Sequence, residues 1–230
     1  MSVEIHDLGT MPYAAAYARQ AEAVQRVLRD RDANAPGVGV VFFVQHPPVI
    51  TLTPRAAPNL LASPAQLSCL GIEVAATDRG GDITYHGPGQ LVVYPILDLN
   101  RLNLGLHAYM RLLEDTVRRT IARFGVEGGR DPAATGVWVG DAKICAMGVR
   151  VRQWVSMHGL ALNVDPALEH FDLIVPCGLG GRGVTSLRRL LGPACPSMAA
   201  VQAALCEELG GAVGRARDAA VAIRAGGRGT

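Results

Sequence analysis

The 230-residue chain carries one lysine, Lys143, and its other cationic side chains are arginines. The distinction matters chemically. A lysine amine can shift its pKa and release a proton near neutrality, whereas a guanidinium stays charged. Lys143 lies in Asp141-Ala142-Lys143-Ile144-Cys145-Ala146-Met147-Gly148, an apolar, strand-like run. A lysine in such a run more often points outward, or sits at a strand end, and does nothing chemical. Cys177 is the second residue of interest. The apolar stretch Leu173-Ile174-Val175 ends in Pro176-Cys177-Gly178. That pattern predicts a strand closing in a turn with an accessible thiol, because structural cysteines are usually buried inside elements. Such a thiol becomes a nucleophile when a nearby cation favours the thiolate. Lys143 and His158 are both available for that part, and spacing does not choose between them.

The densest stretch of donors is Arg79-Gly80-Gly81-Asp82-Ile83-Thr84-Tyr85-His86-Gly87-Pro88-Gly89-Gln90. Its four glycines and one proline exclude a regular helix. Glycine lets backbone approach a ligand closely, and Arg79, Thr84, Tyr85 and His86 supply hydrogen-bonding groups beside it. A surface loop between strands accounts for the same composition equally well.

Two other patterns are set aside. Gly178-Leu179-Gly180-Gly181-Arg182-Gly183 matches the glycine spacing of a dinucleotide site, but the first acidic residue after it is Glu207, inside a helical pattern. Cys145, His158 and Cys177 lack the close ligand pairs of a zinc site, so no metal is expected. There is no phosphate-binding GxxxxGK[ST] loop.

The elements that must position these residues follow from periodicity. Residues 3–8 alternate as a short strand. Thr10 is expected to cap a helix over 12–31, with Pro12 in its first turn and Tyr13, Tyr17, Ala21, Val24 and Leu28 on one face. Residues 38–44 read as a buried strand. Ser63 and Gln66 spell a capping box for a short helix ending at Gly71. Residues 91–99 form a strand whose Pro95 argues for an edge or a bulge. A long helix runs from 106 to Gly125. Strands follow at 137–139, 142–151 and 154–164, with a turn at Gly140-Asp141, and 197–209 is the last helix. The fold class is α+β: a mixed sheet with packed helices. One domain is expected over 1–210, followed by a Gly/Ala/Arg-rich tail, 211–230, disordered at its end.

A net formal charge of +2 gives no strong field for nucleic acid or an anionic membrane, so neither is an expected partner. No apolar stretch is long enough to span a bilayer, and the first residues do not read as a signal peptide. The five irregularly spaced cysteines read as free thiols, which points to the cytoplasm. Cys69, Cys145, Cys195 and Cys206 are taken as buried small apolar residues.

Four stretches, in order, resemble the lipoyl(octanoyl) transferase family: RGGDITYHGPGQLVVYPILDL (79–99), TGVWVGDAKICAMGVRV (135–151), HGLALNV (158–164), and PCGL with VTSL (176–179 and 184–187). The resemblance implies a fold like the catalytic domains of biotin and lipoate protein ligases. It implies transfer of octanoate from the thioester of octanoyl-acyl carrier protein to a lysine of lipoyl domains. The acceptors would be the E2 subunits of 2-oxoacid dehydrogenases and the glycine-cleavage H protein, and no cofactor is called for. The family's acyl-bearing cysteine falls on Cys177 and its activating lysine on Lys143. Its substrate-binding positions fall on Arg79, Gly80, Gly81, Asp82, Ile83, Thr84, Tyr85 and His86, on Ala146, Met147 and Gly148, and on Gly159, Leu160 and Ala161. His86 and His158 either position substrate or are hydrogen-bonded structural histidines, while Leu160 and Met147 would line a slot for the acyl tail. Three other readings compete: an ATP-dependent lipoate or octanoate ligase on the same fold, a cysteine thioesterase using Cys177 and His158, and a non-catalytic binding module.

Overall fold

The computed structural model describes residues 3–175 and 182–226. Its larger sheet has six strands in the order β1-β2-β6-β9-β8-β7. These are β1 (Glu4–Thr10), β2 (Gly39–Gln45), β6 (Gln90–Leu97), β7 (Val137–Val139), β8 (Ala142–Arg152) and β9 (Val155–Asn163). β1 runs parallel to β2 and the other pairs are antiparallel. A smaller sheet of β3 (Val49–Leu52), β4 (Glu73–Ala76) and β5 (Ile83–His86) has the order β4-β3-β5. Sequence reading places no strand at 49–52, 73–76 or 83–86. These runs are four residues each, too short to show a period.

The larger sheet is covered on both faces. On β6, Leu91 and Val93 pack with α3 (Leu106–Ala122) and α5 (Met198–Gly226), which comes after the short α4 (Leu187–Leu191), whereas Val92, Tyr94 and Ile96 pack with α1 (Tyr13–Asp32). This strict alternation is what a two-sided strand requires. The expected helices and the 137–164 strand run are all present, as is the Ser63–Gln66 capping box on α2 (Pro64–Cys69).

Several expectations need correction. Thr10 does not cap α1. It pairs with Gln45 in β1, and Met11 N–H donates to the Gln45 carbonyl, so the chain stays extended up to Pro12, which takes the cap position. Pro95 is not in an edge strand, since β6 lies between β2 and β9. The ladder from β6 to β9 ends at Val93–Leu160, however, and beyond it the Pro95 carbonyl accepts the hydroxyls of Ser156 (2.8 Å) and Tyr109 (3.2 Å). Its missing N–H therefore faces a broken stretch of ladder, where a bulge would also tolerate it.

The last helix does not stop at Leu209. It runs to Gly226, because Leu209, Val213 and Ala220 continue the buried stripe and Ala and Arg are good helix formers. The approach to residue 177 is not a strand either. Leu168–Leu173 is a 3-10 helix, so Leu168, Phe171 and Ile174 fall three apart on one side and pack under the small sheet. Of the cysteines taken as buried, Cys145 is buried, Cys195 and Cys206 are half-buried, and Cys69 at the end of α2 is exposed.

Candidate active site

Between the small sheet and the α1 face of the large sheet lies a cavity of about 800 Å³, mouth included. Every motif residue expected to bind substrate lines it except Tyr85, and so do Lys143 and His158. Tyr85 turns the other way: its ring packs edge-on against Phe171 and its hydroxyl meets His170 Nδ1 at 2.7 Å. Burial pushes that phenol up to about 12. Cys177, with the rest of 176–181, lies outside the described residues.

The cavity floor comes from alternate positions: Val92 and Tyr94 on β6, and Gly159, Ala161 and Asn163 on β9. Strand pleat sends these to one face, where Tyr13 of α1 joins them. The rim is the loop 79–82 laid across β8. Gly80 N–H donates to the Val149 carbonyl at 3.0 Å, and the Arg79 guanidinium reaches back to β3, bonding the Thr51 carbonyl (2.9 Å) and hydroxyl (3.0 Å). The crossing requires a glycine at 148 and leaves little room for a side chain at 80. A Cβ on Gly148 would fall against the Gly80 carbonyl oxygen, and one on Gly80 would come 3.1 Å from the Val149 oxygen. The stretch 79–90 is thus neither wholly loop nor on the surface, since Ile83–His86 forms β5, and Ile83, Tyr85 and His86 are buried there.

Lys143 stands at one end. Its Nζ lies 4.9 Å from the centre of the Trp138 ring, and the Arg182 guanidinium lies 3.8 Å from the same ring while pairing with Asp131. Both are cation–π distances. The backbone of Lys143 is a sheet edge for the segment after residue 181. Lys143 N–H donates to the Gly183 carbonyl and Thr185 N–H donates to the Lys143 carbonyl, each at 3.0 Å. On the other side of 176–181, Val175 N–H donates to the Asn59 carbonyl at 2.8 Å.

A chain of amides ties this end to the cavity floor. Asn163 donates to the Thr185 carbonyl (2.9 Å), Gln90 donates to Asn163 Oδ1 and to the Tyr85 carbonyl (both 3.1 Å), and His86 Nδ1 donates to Gln90 Oε1 (3.0 Å). Burial pushes the His86 imidazole down to about 3, with the neighbouring His46 adding to the shift, so His86 is neutral at physiological pH. His46 is lowered by burial too. Its Nδ1 donates to the Met11 carbonyl (2.7 Å), which leaves Nε2 to accept the Tyr94 hydroxyl (2.8 Å). Tyr13 stacks near-parallel on His86 and bonds Thr77. The floor is therefore apolar and aromatic with uncharged polar groups, a surface that suits an alkyl chain.

His158 is buried, with its Nε2 2.8 Å from Asp78 Oδ1. Desolvation lowers its pKa, and Asp78 opposes the shift. Burial pushes the Asp78 carboxyl up, but hydrogen bonds from His158 and Tyr17 and the Arg150 charge hold it below its ordinary value. Sequence reading missed Tyr13, Val92, Tyr94, Asn163, Phe171 and Val184 among the lining residues. Each belongs to a strand, helix or turn whose pattern is explained by packing alone, so no local signal singles it out.

Among the described residues no helix is long and apolar enough to cross a membrane. The chain matches the lipoyl protein ligase A/B catalytic domain over residues 13–210. It is 45% identical over 213 residues to an octanoyltransferase of Chloroflexus aurantiacus, covering 91% of this chain and 93% of that one. In fold it is similar to a lipoate-protein ligase A bound with ATP (TM-score 0.71, 16% identity, 93% of this chain and 86% of that one). It is also similar to the biotin protein ligase of Aquifex aeolicus in complex with biotin and ATP (TM-score 0.54, 10% identity, 94% and 72%). The expected α+β fold and family resemblance both hold: the chain belongs to the lipoyl protein ligase A/B catalytic domain family and, within it, groups with the octanoyltransferases.

Proposed function

We propose that the chain transfers an octanoyl group from octanoyl-acyl carrier protein to a lysine of a lipoyl domain, by way of a thioester on Cys177. The E2 subunits of 2-oxoacid dehydrogenases and the glycine-cleavage H protein are the acceptors in this reading, and the setting is cytoplasmic. One observation carries it. Motif residues from β5, β8, β9 and the loop 79–82 converge on one largely apolar cavity with Lys143 at its end.

In the first half-reaction the Cys177 thiolate attacks the donor thioester carbonyl, the carbonyl–sulfur bond to the carrier breaks, and the carrier thiolate takes a proton from the Lys143 ammonium, which is left neutral. In the second, the target amine attacks the acyl-Cys177 thioester and gives up a proton as Cys177 departs. A neutral thiol attacks poorly, and free cysteine, with a pKa of ~8.5, is only a few per cent thiolate near pH 7. The Lys143 ammonium is the cation proposed to favour the thiolate. At ~4 Å and an effective dielectric of ~20, such a pair gains on the order of 4 kcal/mol before desolvation. Because one pKa unit is ~1.4 kcal/mol, part of that gain suffices. Lys143 in its neutral form then takes the proton of the attacking amine.

Intact mass after incubation with octanoyl-acyl carrier protein, without ATP, tests the reading. The expected outcome is one hydroxylamine-labile octanoyl group that maps to Cys177, passes to an added lipoyl domain, and is lost in Cys177→Ser. Modification of the lipoyl domain only with ATP and free octanoate would make the chain a ligase instead. Release of free octanoate without transfer would make it a thioesterase.

A further inference from the structure

The end of the cavity remote from Lys143 is built differently from the rest. Lys143 and Asn163 mark one end, both bonded to Thr185. His158 lies five residues back along β9, about 17 Å away at ~3.3 Å per residue. Strand alternation would put His158 on the face of Leu160 and Leu162, toward α3 and α5. A left-handed backbone, φ 60°, turns it instead toward α1, where its ring meets Tyr17 with centroids 5.8 Å apart. Two contacts hold this strained conformation: Gln20 Oε1 accepts the His158 N–H at 2.9 Å, and Asp78 holds the ring. Strain of this kind persists where surroundings over-determine it, and it collects at ligand clamps.

Behind the imidazole, Asp78 Oδ2 accepts the Tyr17 hydroxyl at 3.0 Å and pairs with the Arg150 guanidinium. The side chains of Asp78 and Arg150 are 38% and 36% exposed, whereas that of His158 is 2% exposed. The cluster therefore reaches from the cavity to solvent, and its members come from α1, β8, β9 and the segment before Arg79.

We propose that Asp78, backed by Tyr17 and Arg150, fixes His158 as the end wall of the acyl slot, so that this cluster sets the longest chain the site accepts. This rests on the acyl-transfer reading above. Asp78 is a positioning residue here, acting through His158.

The test is the ratio of kcat/KM for dodecanoyl- over octanoyl-acyl carrier protein, in wild type, Asp78→Ala, Tyr17→Phe and Arg150→Ala. A pocket that admits or refuses one methylene discriminates by about tenfold or more, so the ratio should rise at least that much in Asp78→Ala. It should rise less, but in the same direction, in the other two, which decide the matter if Asp78→Ala does not fold. Equal losses for both chain lengths, or an unchanged ratio, overturn the end wall while leaving octanoyl transfer standing. A wild-type protein that transfers no octanoyl group overturns both.

Discussion

Gly148 and Gly80 meet backbone to backbone: a Cβ on Gly148 would occupy the space of the Gly80 carbonyl oxygen. The rim of the cavity can lie flat on β8 because neither residue has a side chain there. Gly148→Ala must lift the loop 79–82 away from Val149. Overpacking of this kind costs about 1–3 kcal/mol. Octanoyl transfer should fall by tenfold or more, with a lower melting temperature. Wild-type kcat/KM in Gly148→Ala would show that the crossing does not shape the site.

Lys143→Arg separates two roles. Arginine keeps the positive charge but cannot act as a base. Acylation of Cys177 should survive in part, whereas passage of the acyl group to the lipoyl domain should drop by at least a hundredfold, within the range general-base catalysis supplies. Single-turnover mass spectrometry of each half-reaction would show it. Equal loss in both steps would leave Lys143 with a single role.

The buried histidines make stability depend on acid. His46, His86 and His158 all have folded pKa values below their ordinary 6.5, His86 down to about 3. Above pH 6.5 neither the folded nor the unfolded chain protonates them, and stability is at its full value. As pH falls from 6.5 toward 3, the unfolded chain takes up protons that the folded chain refuses. Stability is lost at a rate approaching ~1.4 kcal/mol per pH unit for each excluded proton. Urea midpoints at pH 7 and pH 5 should differ accordingly, and His86→Asn should narrow the gap. An unchanged gap in His86→Asn would mean that His86 is not the excluded site.

Truncation after Leu209 removes the buried Val213 and Ala220. Burying a valine side chain is worth about 1.5–3 kcal/mol, so the shortened chain should lose at least about 2 kcal/mol in urea unfolding. A loss below measurement error would return the segment to the status of a tail.

Long periodic elements were legible in the sequence, and so were the motif positions that line the cavity. The helix over 12–31 and the strands β8 and β9 have enough residues to display their period, and the capping box at Ser63 is a local code. What escaped was set by pairing partners distant in sequence. Four-residue β5 is a strand because β3 lies beside it, and Pro95 is tolerated in a central strand because β9 departs from it after Leu160. Tyr85 shows the same limit. It sits inside the strongest motif, yet its ring packs into the core under the small sheet, where its hydroxyl bonds His170 instead of facing the cavity.

Lys143 rests half-buried against Trp138, at the end of a cavity read as holding an acyl thioester. No other lysine occurs in the sequence. Thioesters acylate amines, whereas guanidinium groups stay protonated and do not accept the acyl group. A protein that carries an activated acyl group while clothed in arginine presents no lysine on its own outer surface to capture it. If the proposed thioester forms, that composition leaves the acyl group to an amine that another protein brings.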